Sequence, residues 1–252
     1  MILPSVIWIG FDPREAAAFA VARASVCANL PCPIPVKGVV LDELKNAGEY
    51  RRPTERRLGR MIDVLSRTED YNGECSTEFA VSRFFVPSMT EKLRASLFAE
   101  KVGWSIFMDC DVMARRGLSS LFDELDDSKA MMCVKHNHDP SSAVKMDNQV
   151  QTRYSRKNWS SVMAFNGNHP ANKRLTTEMV NTLPGRDLHA FCWLKDDEIG
   201  DLPVAWNWLV GHSPAWVDPA IVHFTDGIPL FSGFENVPYA DEWRGWLNRW
   251  AL

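Results

Sequence analysis

No CxxC pair and no regular spacing link the six cysteines, at positions 27, 32, 75, 110, 133 and 192. That pattern argues against a zinc ribbon or a disulfide framework and favours a reducing compartment. Basic charge is not in excess either: 28 Lys and Arg stand against 32 Asp and Glu, a net charge of −4. The chain therefore carries no global footprint for nucleic acid, and any anion it binds must be held by a local site. Long apolar runs are missing. The opening MILPSVIWIGFDPRE has no basic n-region and only five to seven apolar residues before Asp12, too few for a signal peptide or a membrane span. A cytoplasmic location with no transmembrane segment is the expectation. Repeats, low-complexity tracts and linkers are also absent, so residues 1–252 are read as a single domain.

What is present is an ordinary globular composition, 46% hydrophobic and 24% charged, which excludes disorder and fibres. A chain of this length buries roughly three quarters of its surface on folding. SVIWIGF (5–11) reads as a buried strand that runs into Asp12-Pro13-Arg14-Glu15 and the alanine-rich AAAFAVARASVCANL. Asp12 suits an N-cap, Pro13 the first helical position, and Glu15 the far side of a capping box. VKGVVL (36–41) is the next strand, and a strand, helix, strand order implies parallel pairing with a right-handed crossover. The fold class is α/β.

Further along, TEFAVSRFFVP (77–87) has the apolar spacing of a helix that Pro87 stops. LSSLFDEL (118–125) reads as a short helix and ANKRLTTEMVNTL (171–183) as a longer one. KAMMCVKH (129–136), WSSVMAF (159–165) and AIVHF (220–224) read as strands. In DEWRGWLNRW (241–250), Trp243, Trp246, Leu247 and Trp250 form one apolar stripe, expected to dock on the domain. The five arginines of RRPTERRLGR (51–60) are read as a solvated loop diluted by Glu55, with an anionic acceptor or lipid headgroup as the alternative. Eight of the ten tryptophans follow residue 158, Trp206 and Trp208 among them; core packing and an acceptor cleft both use such side chains.

The sharpest chemical feature is Asp109-Cys110-Asp111 at the end of GWSIFM. Side chains alternate along a strand, so the two carboxylates share a face and Cys110 takes the other. Two hard oxygen donors at the carboxyl end of a parallel strand suit Mg²⁺ or Mn²⁺, and such an ion binds and neutralises phosphates. Acid-x-acid triplets also occur as turns and solvated edges. Arg83, among Phe79, Phe84 and Phe85, needs an anionic partner, either the Asp109/Asp111 carboxylates or a phosphate.

Four stretches in order carry a likeness to a known family: IWIGFDPRE, FAVSRFFVP followed by IFMDCDVM, NWSSVMAFN (158–166), and WLKDDEIGDLPVAWN followed by AIVHFTDGIP. Together they resemble the family 8 glycosyltransferases and their bacterial relatives, and they span most of the chain. The resemblance implies a GT-A, Rossmann-like fold: a mixed, mostly parallel sheet flanked by helices. Its donor-binding part would run to about residue 135, with an acceptor-side part and the C-terminal helix from about 136 to 252. It implies transfer of a sugar from a nucleotide-sugar donor, a UDP-sugar, to a glycan or small-molecule hydroxyl, with retention at the anomeric carbon. Asp109, Asp111 and His223 would hold Mn²⁺ (or Mg²⁺), with Asp109 also near the ribose; His223 taken alone also reads as a satisfied strand histidine. Gly10, Phe11 and Asp12 would meet the nucleoside, Ser160 and Ser161 the sugar, and Asp196 or Asp197 would act at the reacting centre beside Arg83.

The chain also departs from the family pattern. Ile228 stands where the family has a lysine on the diphosphate, and Trp159-Ser160-Ser161 replaces Asn-Ser-Gly. Asp197 replaces a glutamine. The missing charge is expected from Lys135, Lys145, Arg153, Arg156 or Lys157, as a lid over the donor, or else these form a solvated basic loop. Two rival readings remain. A catalytically silent relative that binds sugars or a partner fits the lost lysine. A nucleotidyltransferase would place a glycine-rich and basic loop after the first strand, where this chain has Asp12-Pro13-Arg14-Glu15.

Overall fold

The opening apolar run is a strand, β1 (Ile2–Gly10), and the main sheet is built outward from it. The structure, a computed structural model, describes residues 2–30, 34–97, 101–137, 144–145, 149–150 and 156–250. Val6, Ile7 and Ile9 are fully buried, as in a strand covered on both faces. A 3-10 turn (Pro13–Glu15) leads into α1 (Ala16–Ala28), and β2 (Val36–Val39) then pairs in parallel with β1. This is the expected β-α-β unit, with one local correction. The Asp12 side chain caps the turn by accepting the Arg14 N–H, but the Glu15 carboxylate does not close a capping box: it accepts a hydrogen bond from the Cys110 thiol.

After α2 (Leu41–Asn46), the arginine-rich stretch is a hairpin rather than a loop, β3 (Thr54–Arg57) and β4 (Arg60–Asp63). Its two-residue turn, Leu58-Gly59, has positive φ at both positions (50° and 78°), the twist that suits tight hairpins. Pro87 does not stop a helix. Helix α3 (Phe79–Ser82) passes through a 3-10 turn at Arg83–Phe85 into α4 (Val86–Ser96), where Pro87 lies in the first turn and its missing N–H has no partner to lose.

The chain then forms β5 (Lys101–Met108), β6 (Val112–Ala114), α5 (Ser119–Asp123) and β7 (Met131–Cys133), followed by the short pair β8 (Val144–Lys145) and β9 (Gln149–Val150). WSSVMAF splits into a 3-10 turn (Trp159–Ser161) and β10 (Val162–Asn166). Residues 171–183 likewise divide, into a 3-10 turn (Pro170–Arg174) and α6 (Thr177–Thr182), because Thr176 caps the second piece by accepting the Met179 N–H. Helix α7 (Gly185–His189), β11 (Ile199–Asp201), β12 (Trp208–Leu209), β13 (Ile221–His223) and α8 (Ala240–Trp250) complete the order.

The main sheet runs β11-β7-β10-β5-β1-β2. Strand β10 is antiparallel to both neighbours and the other pairings are parallel, so five strands share one direction. This is the mixed, mostly parallel sheet flanked by helices that the resemblance implied. A smaller sheet, β12-β13-β6, sets β13 antiparallel to β6. Helix α8 packs on α1, with Trp243 fully buried and Trp246 and Leu247 against the core. Trp206 and Trp208 are buried too, which settles them as core residues. No helix among the described residues is long and apolar enough to cross a membrane.

Candidate active site

The site grows from the point where β5 stops. Asp109-Cys110-Asp111 lies in the turn joining β5 to β6, one step past the strand in which the alternation argument placed it. The expected division of faces holds: Cys110 is fully buried, while Asp109 and Asp111 are partly exposed. The backbone N–H of Asp109 donates to the Ser161 carbonyl (2.8 Å), anchoring the turn to the start of β10. His223 arrives through strand register. It sits opposite Val112, and the Phe224 N–H donates to the Asp111 carbonyl (2.9 Å). One ligand atom from each of Asp109, Asp111 and His223 lies within 4.8 Å of the others. His223 Nε2 is 3.2 Å from the Asp111 carboxylate.

The imidazole is oriented from behind. His223 Nδ1 pairs with Asn207 Oδ1 at 2.9 Å, and the Asn207 amide donates to Ser161 Oγ (3.0 Å) and the Asn158 carbonyl (3.3 Å). An amide that donates through its nitrogen presents its oxygen as an acceptor, so Nδ1 donates a proton to Asn207 and Nε2 is the nitrogen that faces the two carboxylates. Metal-binding histidines are commonly held by such an outer partner. Two carboxylates and a neutral imidazole form a donor set suited to Mn²⁺ or Mg²⁺, and the residues fit the ion.

Arg83 finds the carboxylate partner. Its guanidinium pairs with Asp109 (2.8 Å), donates to the Ser160 carbonyl (2.8 Å), and lies over the rings of Phe79 and Phe107 at 5.3 and 5.0 Å. The arginine is buried and Asp109 keeps 16% of its side chain exposed; a charge pair in such low-dielectric surroundings holds its geometry better than a surface pair. On the other side, burial and then the neighbouring Asp111 charge raise the Glu15 carboxyl to about 7. Burial, with Glu15 next, pushes the Cys110 thiol well above its ordinary value, so it acts as a donor and not as a nucleophile.

The residues expected to meet the donor occupy the same edge of the sheet. Gly10 sits under the Phe79 ring, where a Cβ would come within 2.5 Å of ring atoms, so no larger residue fits. Phe11 meets Phe19 edge-on at 5.1 Å. Asp12 is fully buried: burial raises its carboxyl, but hydrogen bonds from Arg14 and from the Glu78 N–H outweigh this and leave it below its usual range. The Ser160 and Ser161 hydroxyls turn inward, to His189 Nδ1 (2.7 Å) and the Asn158 carbonyl (2.6 Å).

Other expected residues make contacts of their own. Asp196 and Asp197 are exposed; Asp196 pairs with Arg156. Arg156 also stacks on Trp159 and Phe191, Lys135 donates to the Ile199 carbonyl (3.0 Å), and Lys157 is buried. The Lys145 side chain and Arg153 lie outside the described residues. Ile228 is part of the core. A cleft of about 360 Å³ opens beyond β10, lined by Val134, Lys135, His136, Asp201, Leu209 and His212 among others, and none of the three cluster residues lines it. Its walls follow the carboxyl ends of β7 and β11, which the pairings place on the same sheet edge as Asp109.

With this geometry in place, comparison with known proteins is informative. No family model matches the chain. It is 37% identical over 245 residues to Protein CDI of Arabidopsis thaliana, covering 95% of this chain and 85% of that protein. The chain belongs to the Protein CDI family. For this Protein CDI family member, solved structures of low identity show the fold. The bifunctional glycosyltransferase WbbM superposes with a TM-score of 0.58 at 14% identity, over 97% of this chain and 49% of WbbM. The chain thus spans about half of WbbM's length. An active-site variant of LgtC superposes with a TM-score of 0.52 at 13% identity, over 99% of this chain and 96% of that one. LgtC, a galactosyltransferase, has also been solved in complex with donor and acceptor sugar analogs. The fold is that of GT-A glycosyltransferases.

Two residues of the site carried no signal in the sequence. Asn207 and His189 act on Ser161 and Ser160 across 46 and 29 residues of chain. Only the folded sheet brings them there.

Proposed function

We propose that this chain is a metal-dependent glycosyltransferase of the family 8 type, moving a sugar from a UDP-sugar to a hydroxyl acceptor with retention at the anomeric carbon. The observation that carries the reading is the convergence of Asp109, Asp111 and His223, with His223 oriented by Asn207 so that Nε2 faces the carboxylates. When bound, Mn²⁺ or Mg²⁺ supplies the positive charge that a departing diphosphate requires. In this reading Arg83 fixes the Asp109 carboxylate, and the Gly10-Phe11-Asp12 edge receives the nucleoside. The cleft beside β7 and β11 takes the acceptor, its mixture of apolar wall and polar groups being suited to a sugar ring. Asp196 and Asp197 remain the acids that would act at the reacting centre beside Arg83; both are exposed, and Asp196 is paired with Arg156. The reading keeps the cytoplasmic location expected from the cysteine usage.

Thermal unfolding with MnCl₂ and UDP tests the proposal. UDP is expected to raise the midpoint only with Mn²⁺ present, since a ligand selective for the folded state stabilises it by mass action. Asp111→Asn is expected to remove this response while leaving the metal-free midpoint unchanged. An equal response in the variant places the site elsewhere. A panel of nucleotide sugars tested for Mn²⁺-dependent hydrolysis then identifies the donor. Ile228, an apolar residue in place of a diphosphate lysine, favours the silent-relative reading, which predicts UDP binding without hydrolysis of any donor.

A further inference from the structure

Helix α7 carries a histidine that the reaction does not use directly, and it is placed at the back of the site. His189 is partly buried, its ring edge-on to Phe84 at 5.1 Å and its Nδ1 2.7 Å from Ser160 Oγ. The ring thus meets two parts of the chain, Phe84 and the Ser160 hydroxyl. A neutral imidazole has one donor and one acceptor nitrogen, and Nδ1 gives one of these to the Ser160 hydroxyl. Burial and the nearby Arg83 charge hold His189 down to about 3, which keeps it in this neutral form.

The two contacts flank Arg83: Phe84 follows it in the chain, and Ser160 is the residue whose carbonyl receives its guanidinium at 2.8 Å. We propose that His189 is a positioning residue: by holding Ser160 while packing on Phe84 it fixes the angle at which Arg83 grips Asp109, and so presets the metal-binding carboxylate. This rests on the proposed metal-dependent reading of the same cluster and adds to it a part outside the ligand set.

The test uses the full chain, MnCl₂ and UDP, with titration calorimetry for affinity and thermal unfolding of the metal-free protein for stability. His189→Phe keeps the ring packing on Phe84 and deletes the hydrogen bond to Ser160. It is expected to weaken Mn²⁺-dependent UDP binding by roughly 10–100-fold, the scale typical of outer partners of a metal ligand. His189→Gln retains a donor and an acceptor and is expected to recover most of the loss. In a Ser160→Ala background His189→Phe is expected to cost little more, because that hydrogen bond is already lost. If His189→Phe lowers the unfolding midpoint but binds Mn²⁺ and UDP as the unaltered chain does, the positioning role is overturned; additive losses with Ser160→Ala also overturn it. If His189→Phe fails to fold, the Ser160→Ala and His189→Gln affinities decide by the same criteria. Absence of Mn²⁺-dependent UDP binding in the unaltered chain overturns the transferase reading instead.

Discussion

At the scale of single residues, the side chains that orient the site matter as much as those that would touch a ligand. Asn207 sits between His223 and Ser161, so its removal frees the imidazole to turn. Asn207→Ala is expected to cost roughly 10–100-fold in Mn²⁺ affinity with little change in the circular dichroism spectrum, and calorimetry checks the first part. The depressed His189 makes a second prediction. From its ordinary 6.5 down to about 3, the unfolded chain binds a proton that the folded chain refuses. Its contribution to stability is therefore complete above about 6.5 and is lost as the pH falls toward 3. Urea midpoints should decline across that window, and His189→Gln should make the decline shallower; an identical decline would falsify the assignment. Asp109, Asp111, His223 and Arg83 were legible because residue type and motif order mark them. Nothing in PVAWNWL or GRDLHAF marks Asn207 or His189, whose importance comes from partners that are distant in sequence.

At the scale of elements, the readings that failed did so where a short polar or cyclic side chain changed the local hydrogen bonding. Pro87 was read as a stop, yet in the first turn of α4 it costs no bond. Thr176 divides what apolar spacing alone made one helix, and the turn at Trp159–Ser161 delays β10 to Val162. The hairpin of β3 and β4 was hidden because its arginines suggested solvent. Arg52 is instead buried, gripping Asp63 with two bonds (3.0 and 2.6 Å) and reaching the Val180 and Leu183 carbonyls near the end of α6. Removing one partner of a buried pair strands the other charge, so Arg52→Ala is expected to cost about 3–5 kcal/mol in denaturant unfolding. A loss below about 1 kcal/mol would mean that water reaches Asp63. Gly10→Ala forces the buried Phe79 ring aside and is expected to cost about 1–3 kcal/mol.

At the scale of the whole molecule, one hydrophobic cluster runs from β1 to Trp243 in α8. The terminal helix is thus part of the core, as its tryptophan stripe suggested, although the Trp250 side chain lies outside the described residues. Trp243→Ala is expected to cost about 3–5 kcal/mol and to lower the thermal midpoint with no selective effect on Mn²⁺-dependent UDP binding. The parallel β1–β2 pairing was legible from the order of strand, helix and strand, and the mixed sheet was implied by the family resemblance; the reversed direction of β10 was not legible, because no residue in VMAFN encodes which neighbour it will face. The late pairing of β13 with β6 also bears on timing. As the polypeptide leaves the ribosome, the acid turn emerges long before the imidazole that completes it. A nascent chain stalled short of Ile221 therefore carries two aspartates and no finished cluster, even when every strand of the main sheet has been made.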